Sequence, residues 1–290
     1  MTFRDLNLKK PLWNALDELG YHTPTTIQAN GFKVMMSGAD TIGIAQTGTG
    51  KTLAYLLPCL CMWEFSKDPH PQILIIVPTR ELVTQVVREV EKLTTYMNVV
   101  VGGVYGGANM YTQAVMVLNG LDVLVGTPGR ILDLALSGSL KLKHIKKVVI
   151  DEVDETLSLG FRSQLLNLFE FLPAKRQHMV FSATLSEEVA LFLEDYLVSP
   201  IRVEAARAGS PIDKIHQIGY RAPNFLSKVS LLRHLLKGVE GDSKILVFVS
   251  SRVLADTLFE EINEEFSDSI GVIHSNKAQN FRFDAVQRFQ

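Results

Sequence analysis

Short β-branched runs separated by helix-length stretches govern what this chain can fold into. Runs at 41–45, 73–77, 99–104, 122–125, 147–150, 178–181 and 201–203 alternate with stretches of helical period such as 81–96 and 187–197. That alternation predicts an α/β fold with helices over a parallel sheet. The runs ILIIV at 73–77 and VVI at 148–150 are apolar at successive positions, so both sheet faces are expected to be buried. The period lapses in AARAGSP, and a linker is expected at 207–211 between a domain at 1–206 and a segment at 212–290. There the pattern restarts, with strands expected at 215–220, 245–249 and 270–273 and helices at 226–237, at 253–266 and from Gln279.

Composition excludes several classes. With 47% hydrophobic and 21% charged residues among 290, the chain is too apolar for disorder. No apolar run reaches the roughly 20 residues that cross a bilayer, so no membrane association is expected. The start, MTFRDLNLKK, lacks a signal peptide's apolar stretch, which implies a cytoplasmic location with Cys59 and Cys61 reduced. Charge is nearly balanced, 29 basic against 31 acidic residues. Any polyanion must therefore be held locally rather than by a bulk positive field.

The sharpest motif is AQTGTGKT at 45–52, between an expected strand and an expected helix. A phosphate chain needs converging backbone N–H groups, and Ala45, Gln46, Thr47, Gly48, Thr49 and Gly50 form a loop able to supply them at a helix N-terminus. Lys51 is placed to reach the β and γ phosphates and Thr52 to coordinate Mg²⁺. The strict pattern has Gly where Ala45 stands, so this is a near match to a P-loop. KKVVIDEVD puts Asp151 at the carboxyl end of another strand, where it would hold Mg²⁺ through water, while Glu152 could deprotonate an attacking water. MVFSATLSEE ends a third strand. There Thr184 and Glu187 fit a capping box as well as they fit a functional contact, and the spacing leaves both open. Gln28, early in a helix, offers one donor and one acceptor that could read an adenine edge.

In order and spacing, AQTGTGKT, PTREL at 78–82, GG at 106–107, TPGR at 127–130, DEVD at 151–154 and SAT at 182–184 closely resemble a DEAD-box ATP-dependent RNA helicase. The short N-terminus and IHSNKAQNFR resemble the bacterial RhlE-type branch. The family resemblance implies a RecA-like P-loop NTPase domain followed by the start of a second RecA-like domain, with ATP as substrate and Mg²⁺ as cofactor. It also implies a Q motif, in which Phe3 stacks on adenine and residues 20–28 form the core. Pro78, Thr79, Arg80, Gly107, Thr127, Gly129 and Arg130 would contact the backbone of single-stranded or short duplex RNA, joined by Arg252 and Arg282 of the second segment. Ser182 would hydrogen-bond Asp154, coupling nucleotide state to RNA grip with Thr184 alongside.

The resemblance stops at Gln290, before the family's last two motifs, including the one whose arginines stabilise the transferring phosphate. Such arginines are worth roughly 10³ to 10⁵ in rate. Weak hydrolysis is therefore one expectation for this chain. The other is a nucleotide-dependent RNA-binding or regulatory module without helicase activity.

Overall fold

Strands β1 (Thr41–Ile44), β2 (Ile73–Ile76), β3 (Val101–Val104), β4 (Val123–Gly126), β5 (Lys147–Ile150), β6 (Gln177–Ser182) and β7 (Ile201–Glu204) form one sheet in the computed structural model, in the order β3-β4-β2-β5-β6-β1-β7. The structure describes residues 1–205, 216–239, 243–266 and 269–289. Every neighbouring pair is parallel, with Ile73 opposite Lys147 and Thr41 opposite Met179. Each strand expected before residue 205 is present, with its ends shifted by no more than two residues.

Successive apolar residues are explained by two cores. Along β2, Ile73 and Ile75 enter one cluster, while Leu74 and Ile76 enter the other. The first is covered by α1 (Lys10–Glu18), α2 (Thr26–Met36), α3 (Lys51–Met62) and α4 (Arg80–Leu93). The second is covered by α5 (Met110–Leu118), α6 (Pro128–Leu136), α7 (Val153–Ser158), α8 (Arg162–Glu170) and α9 (Glu187–Glu194). The edge strands β3 and β7 lose continuous burial, as a sheet with two covered faces requires, and of the inner strands β5 does so at its first residue, Lys147. Cys59 and Cys61 are free and buried in α3, and burial pushes the Cys59 thiol up to about 12.

The chain divides into two compact units, Met1–Pro211 and Ile212–Gln290. The linker expected at 207–211 lies outside the described residues. The second unit contributes α10 (Phe225–Lys237), α11 (Arg252–Phe266) and α12 (Gln279–Phe289), close to expectation. Helices α10 and α11 are joined by Arg233 with Glu261 and Glu265, and by Lys237 with Glu265 at 2.5 Å. The strands expected at 215–220, 245–249 and 270–273 are absent among the described residues. A parallel strand is stable only with ladder partners and cover on both faces. Here Leu246 and Phe248 have neither and are 66% and 89% exposed.

Of the two readings left open for Thr184, the capping box with Glu187 is not the one formed. Helix α9 is capped by Ser186, whose hydroxyl accepts from Val189 N at 3.3 Å. Thr184 is thereby left for another partner.

Candidate functional site

The loop after β1 is shaped before any ligand arrives. Ala45 N donates to Ser182 O at 3.0 Å and extends the ladder, after which Thr49 turns back, its hydroxyl donating to Gln46 O at 2.6 Å. Gly50 caps α3 in the left-handed region, at φ 84°, and no side chain occupies the first-turn N–H groups. A Cβ at position 50 would also collide with Gln28 Nε2, so glycine is required twice over. Gln28 Nε2 donates to Gly50 O at 3.0 Å, while its Oε1 accepts from Thr25 N at 2.9 Å. Half of the amide's capacity is thus committed, one bond to the loop and one to the cap of α2, and half remains for a ligand.

Lys51, the first residue of α3, is 7% exposed, and its Nζ makes no hydrogen bond. It faces Asp151, which follows β5 and is 6% exposed. Burial raises the Asp151 carboxyl above its ordinary value, and the Lys51 ammonium opposes the rise. Glu152 N holds Asp151 Oδ1 at 3.0 Å. The Tyr55 ring packs on Phe181 at 5.4 Å, with its hydroxyl beside Asp151 and Thr52 but in no hydrogen bond of full geometry. Glu152 itself is non-glycine at φ 51°, a strained position of the kind that clusters at functional sites. Burial, then Glu155 and Asp151, push its carboxyl up to about 7.

The coupling contact belongs to a different residue than expected. Asp154 Oδ2 accepts from Thr184 N at 3.1 Å and from Thr184 Oγ1 at 3.0 Å. Ser182 ends β6 fully buried, and its hydroxyl is spent on Thr184 O at 2.6 Å. Ser182 therefore shapes the turn that lets Thr184 reach Asp154.

Pro78, Thr79 and Arg80 follow β2, Gly107 follows β3, and Thr127 and Gly129 follow β4, so the carboxyl ends of three adjacent strands gather them along one stretch of the sheet. The loop after β1, Asp151 and Thr184 line the neighbouring stretch over β5, β6 and β1. Pro78 is buried, Thr79 caps α4 by accepting from Leu82 N at 3.3 Å, and Thr127 stands at the N-cap position of α6 without a side-chain capping bond. Gly107, at φ 78°, lies so close to the Arg80 guanidinium that a Cβ would fall 2.5 Å from Nη1. Space beside Gly129 is open. Arg130 departs from expectation, being only 9% exposed. Its Nη1 donates to Gln113 Oε1 at 2.8 Å and Nη2 to Ala108 O at 3.1 Å, so it braces the loop around Gly107 rather than offering itself to a ligand.

Phe3 also departs from expectation. It is 3% exposed, its ring belonging to the same core cluster as Leu6, Leu12 and Leu16. It lines a cavity of about 270 Å³ with Trp13, Tyr21 and His22, none of them from the loop after β1. In the second unit, Arg252 Nη1 donates to Asn276 Oδ1 at 2.6 Å, and Arg282 lies in α12. Gln113 escaped sequence reading. It pairs with Arg130 and with both backbone groups of Tyr105 at 3.2–3.3 Å, and a lone amide in MYTQAVMVL carries no signal of that.

The family model for DEAD/DEAH box helicases matches residues 25–192. "DEAD-box ATP-dependent RNA helicase 24" of Oryza sativa subsp. japonica is 33% identical, covering 100% of this chain and 38% of its own length. "RNA helicase CrhR" of Synechocystis sp. is 34% identical, covering 100% of this chain and 58% of its own length. "Eukaryotic initiation factor 4A" of Dictyostelium discoideum is 30% identical, covering 100% and 71%. This chain thus spans less than two thirds of the length of each of the first two relatives. With the motif residues gathered along one edge of a parallel sheet, and the family model spanning over half of its length, the chain belongs to the DEAD/DEAH box helicase family.

Proposed function

We propose that the protein is an ATP-dependent RNA helicase whose first unit binds ATP and grips the RNA backbone without regard to sequence. One observation carries the nucleotide reading: the Lys51 ammonium is buried without a hydrogen bond beside a helix N-terminus whose N–H groups are open. The nearby Asp151 carboxylate gives this buried ammonium no hydrogen bond, and a phosphate chain would supply the acceptors it lacks. The names of the relatives support the RNA part of the reading. The same proposal puts the protein in the cytoplasm.

The donor set also suits Mg²⁺, since Thr52 and Asp151 offer the oxygen ligands that a hard cation takes. When bound, Mg²⁺ would neutralise charge on the β and γ phosphates. Lys51 holds the same phosphates from the helix side, and Glu152 takes the proton of the attacking water. Gln28 uses its remaining donor and acceptor on the adenine edge, completing a Q motif with the segment around Phe3. Thr184 and Asp154 link the nucleotide stretch to the neighbouring stretch, where Thr79, Arg80, Gly107, Thr127 and Gly129 take the RNA backbone. Arg252 and Arg282 add further backbone contacts from the second unit.

Lys51→Ala is expected to raise the Kd of a fluorescent ATP analogue at least 100-fold, read by fluorescence titration. Unchanged affinity would overturn the nucleotide site. Arg80→Ala should weaken RNA binding about tenfold for every sequence, with the slope of log K against log salt falling by about 0.7, as loss of one single-strand phosphate contact requires. A loss confined to one RNA sequence would contradict backbone recognition.

A further inference from the structure

At the opposite end of the sheet from the P-loop, two connections meet because their strands do. The segment between α3 and β2 carries Asp68 and His70, and the segment between α6 and β5 carries His144. Strands β2 and β5 pair in parallel, and both Lys146 N and Lys147 N donate to Gln72 O, at 2.8 and 3.2 Å. The first connection is further fixed by Leu121 N on Pro69 O at 3.1 Å and by Asp68 N on Ser66 Oγ at 3.0 Å.

This arrangement brings two imidazoles onto one carboxylate. His144 Nδ1 lies 2.8 Å from Asp68 Oδ2, His70 Nε2 lies 3.8 Å from Asp68 Oδ1, and the two rings are 5.0 Å apart. An ordinary ion pair accounts for His144 alone. At 3.8 Å the His70 ring is beyond hydrogen-bond distance of Asp68 Oδ1, which accepts instead from His70 N at 3.3 Å, and the ring makes no hydrogen bond among the described residues. One ligand atom from each residue lies within 4.8 Å of the other two. Donors around a tetrahedral Zn²⁺ stand about 3.4 Å apart, so closing the set takes side-chain movements of roughly 1 Å. Asp68 and His70 are half-buried and His144 is exposed, which leaves an approach for an ion and room for water as a fourth ligand.

We infer that Asp68, His70 and His144 form a binding site for a divalent transition metal of the Zn²⁺ class, which clamps the connection before β2 to the connection before β5. Two imidazoles with one carboxylate select Zn²⁺, Co²⁺, Ni²⁺ or Cu²⁺ over Mg²⁺ and Ca²⁺, which take oxygen ligands. The site is separate from that assigned to Mg²⁺, because the two lie at opposite ends of parallel strands.

The test uses the full 290-residue chain, stripped of metal by a chelator and titrated with Co²⁺ alone. A visible ligand-field band should grow to one equivalent and disappear on adding Zn²⁺, and millimolar Mg²⁺ should leave it unchanged. His144→Ala and Asp68→Asn should each weaken Co²⁺ binding at least tenfold, and His70→Ala/His144→Ala should abolish it. Zn²⁺ at a hundredfold excess over its Kd should raise the Tm of the parent by roughly 5 °C and that of the double variant by nothing. All of this should persist in Lys51→Ala, so the outcome is independent of the nucleotide reading. Equal Co²⁺ binding by the parent and the double variant would overturn the proposal, as would binding lost in Lys51→Ala.

Discussion

Replacing Glu152 with glutamine should lower RNA-stimulated ATP turnover about 10³-fold while leaving ATP affinity within twofold. Removing a positioned general base costs roughly 10² to 10⁴ in rate, and glutamine keeps the shape of the side chain while losing the proton acceptor. Affinity should survive because the phosphates are assigned to Lys51 and the open N-terminus of α3, neither of which the substitution touches. The carboxyl sits at about 7, pushed there first by burial, then by Glu155 and Asp151. Turnover by the parent should therefore rise as pH climbs through about 7 and the base loses its proton. The same shift has a stability consequence. The folded protein holds this proton more tightly than the unfolded chain, so Glu152 favours the folded state below its ordinary value of 4.5 and loses that contribution as pH rises through about 7. Glu152→Gln should then have a higher Tm than the parent at pH 8, with no such gain at pH 4. A variant with undiminished turnover would remove Glu152 from the chemistry.

The sheet of the first unit was legible because it is buried on both faces. Continuous apolar runs such as ILIIV mark central parallel strands, and the motifs follow those strands directly, so locating a strand also located the end at which ligands bind. What escaped was the direction in which individual polar side chains turn. Ser182 and Thr184 are two residues apart, and only the turn after β6 decides that Thr184 faces Asp154. Arg130 reads as a contact to the RNA backbone until Gln113 on α5 and the Ala108 carbonyl take its guanidinium. Phe3 reads as an isolated aromatic until the core absorbs it. In the second unit the apolar runs at 245–249 and 270–273 have strand character by residue type. Residue type fixes local preference, but a ladder also needs partners, and Phe248 remains at the surface.

The largest stability loss is expected from Asp40→Ala, about 3 kcal/mol in urea unfolding, from a residue that no motif contains. Asp40 precedes β1 and is 8% exposed. Its Oδ1 accepts from His178 N at 2.7 Å, and its Oδ2 accepts from Val198 N at 2.9 Å, with His178 Nδ1 at 3.4 Å. Its own carbonyl accepts from Ile201 N at 2.8 Å. One side chain thus ties the start of β1 to the start of β6 and to the approach to β7, where the ladder has not yet begun to satisfy the backbone. Alanine would leave the N–H groups of His178 and Val198 without acceptors, at roughly 1–3 kcal/mol for the buried His178 donor and less for Val198, which is exposed. Burial pushes the Asp40 carboxyl up, but the bonds from His178 and Val198 outweigh it and hold the group below its ordinary value of 3.8. A depressed folded value means that the stabilisation is fully present above about pH 4 and is lost as pH falls through the folded value. The stability gap between the parent and Asp40→Asn should accordingly be widest near neutral pH and narrow below pH 4. A gap unchanged down to pH 2.5 would mean that the charge on Asp40 contributes nothing, and that the acceptor geometry alone holds β1, β6 and β7 together.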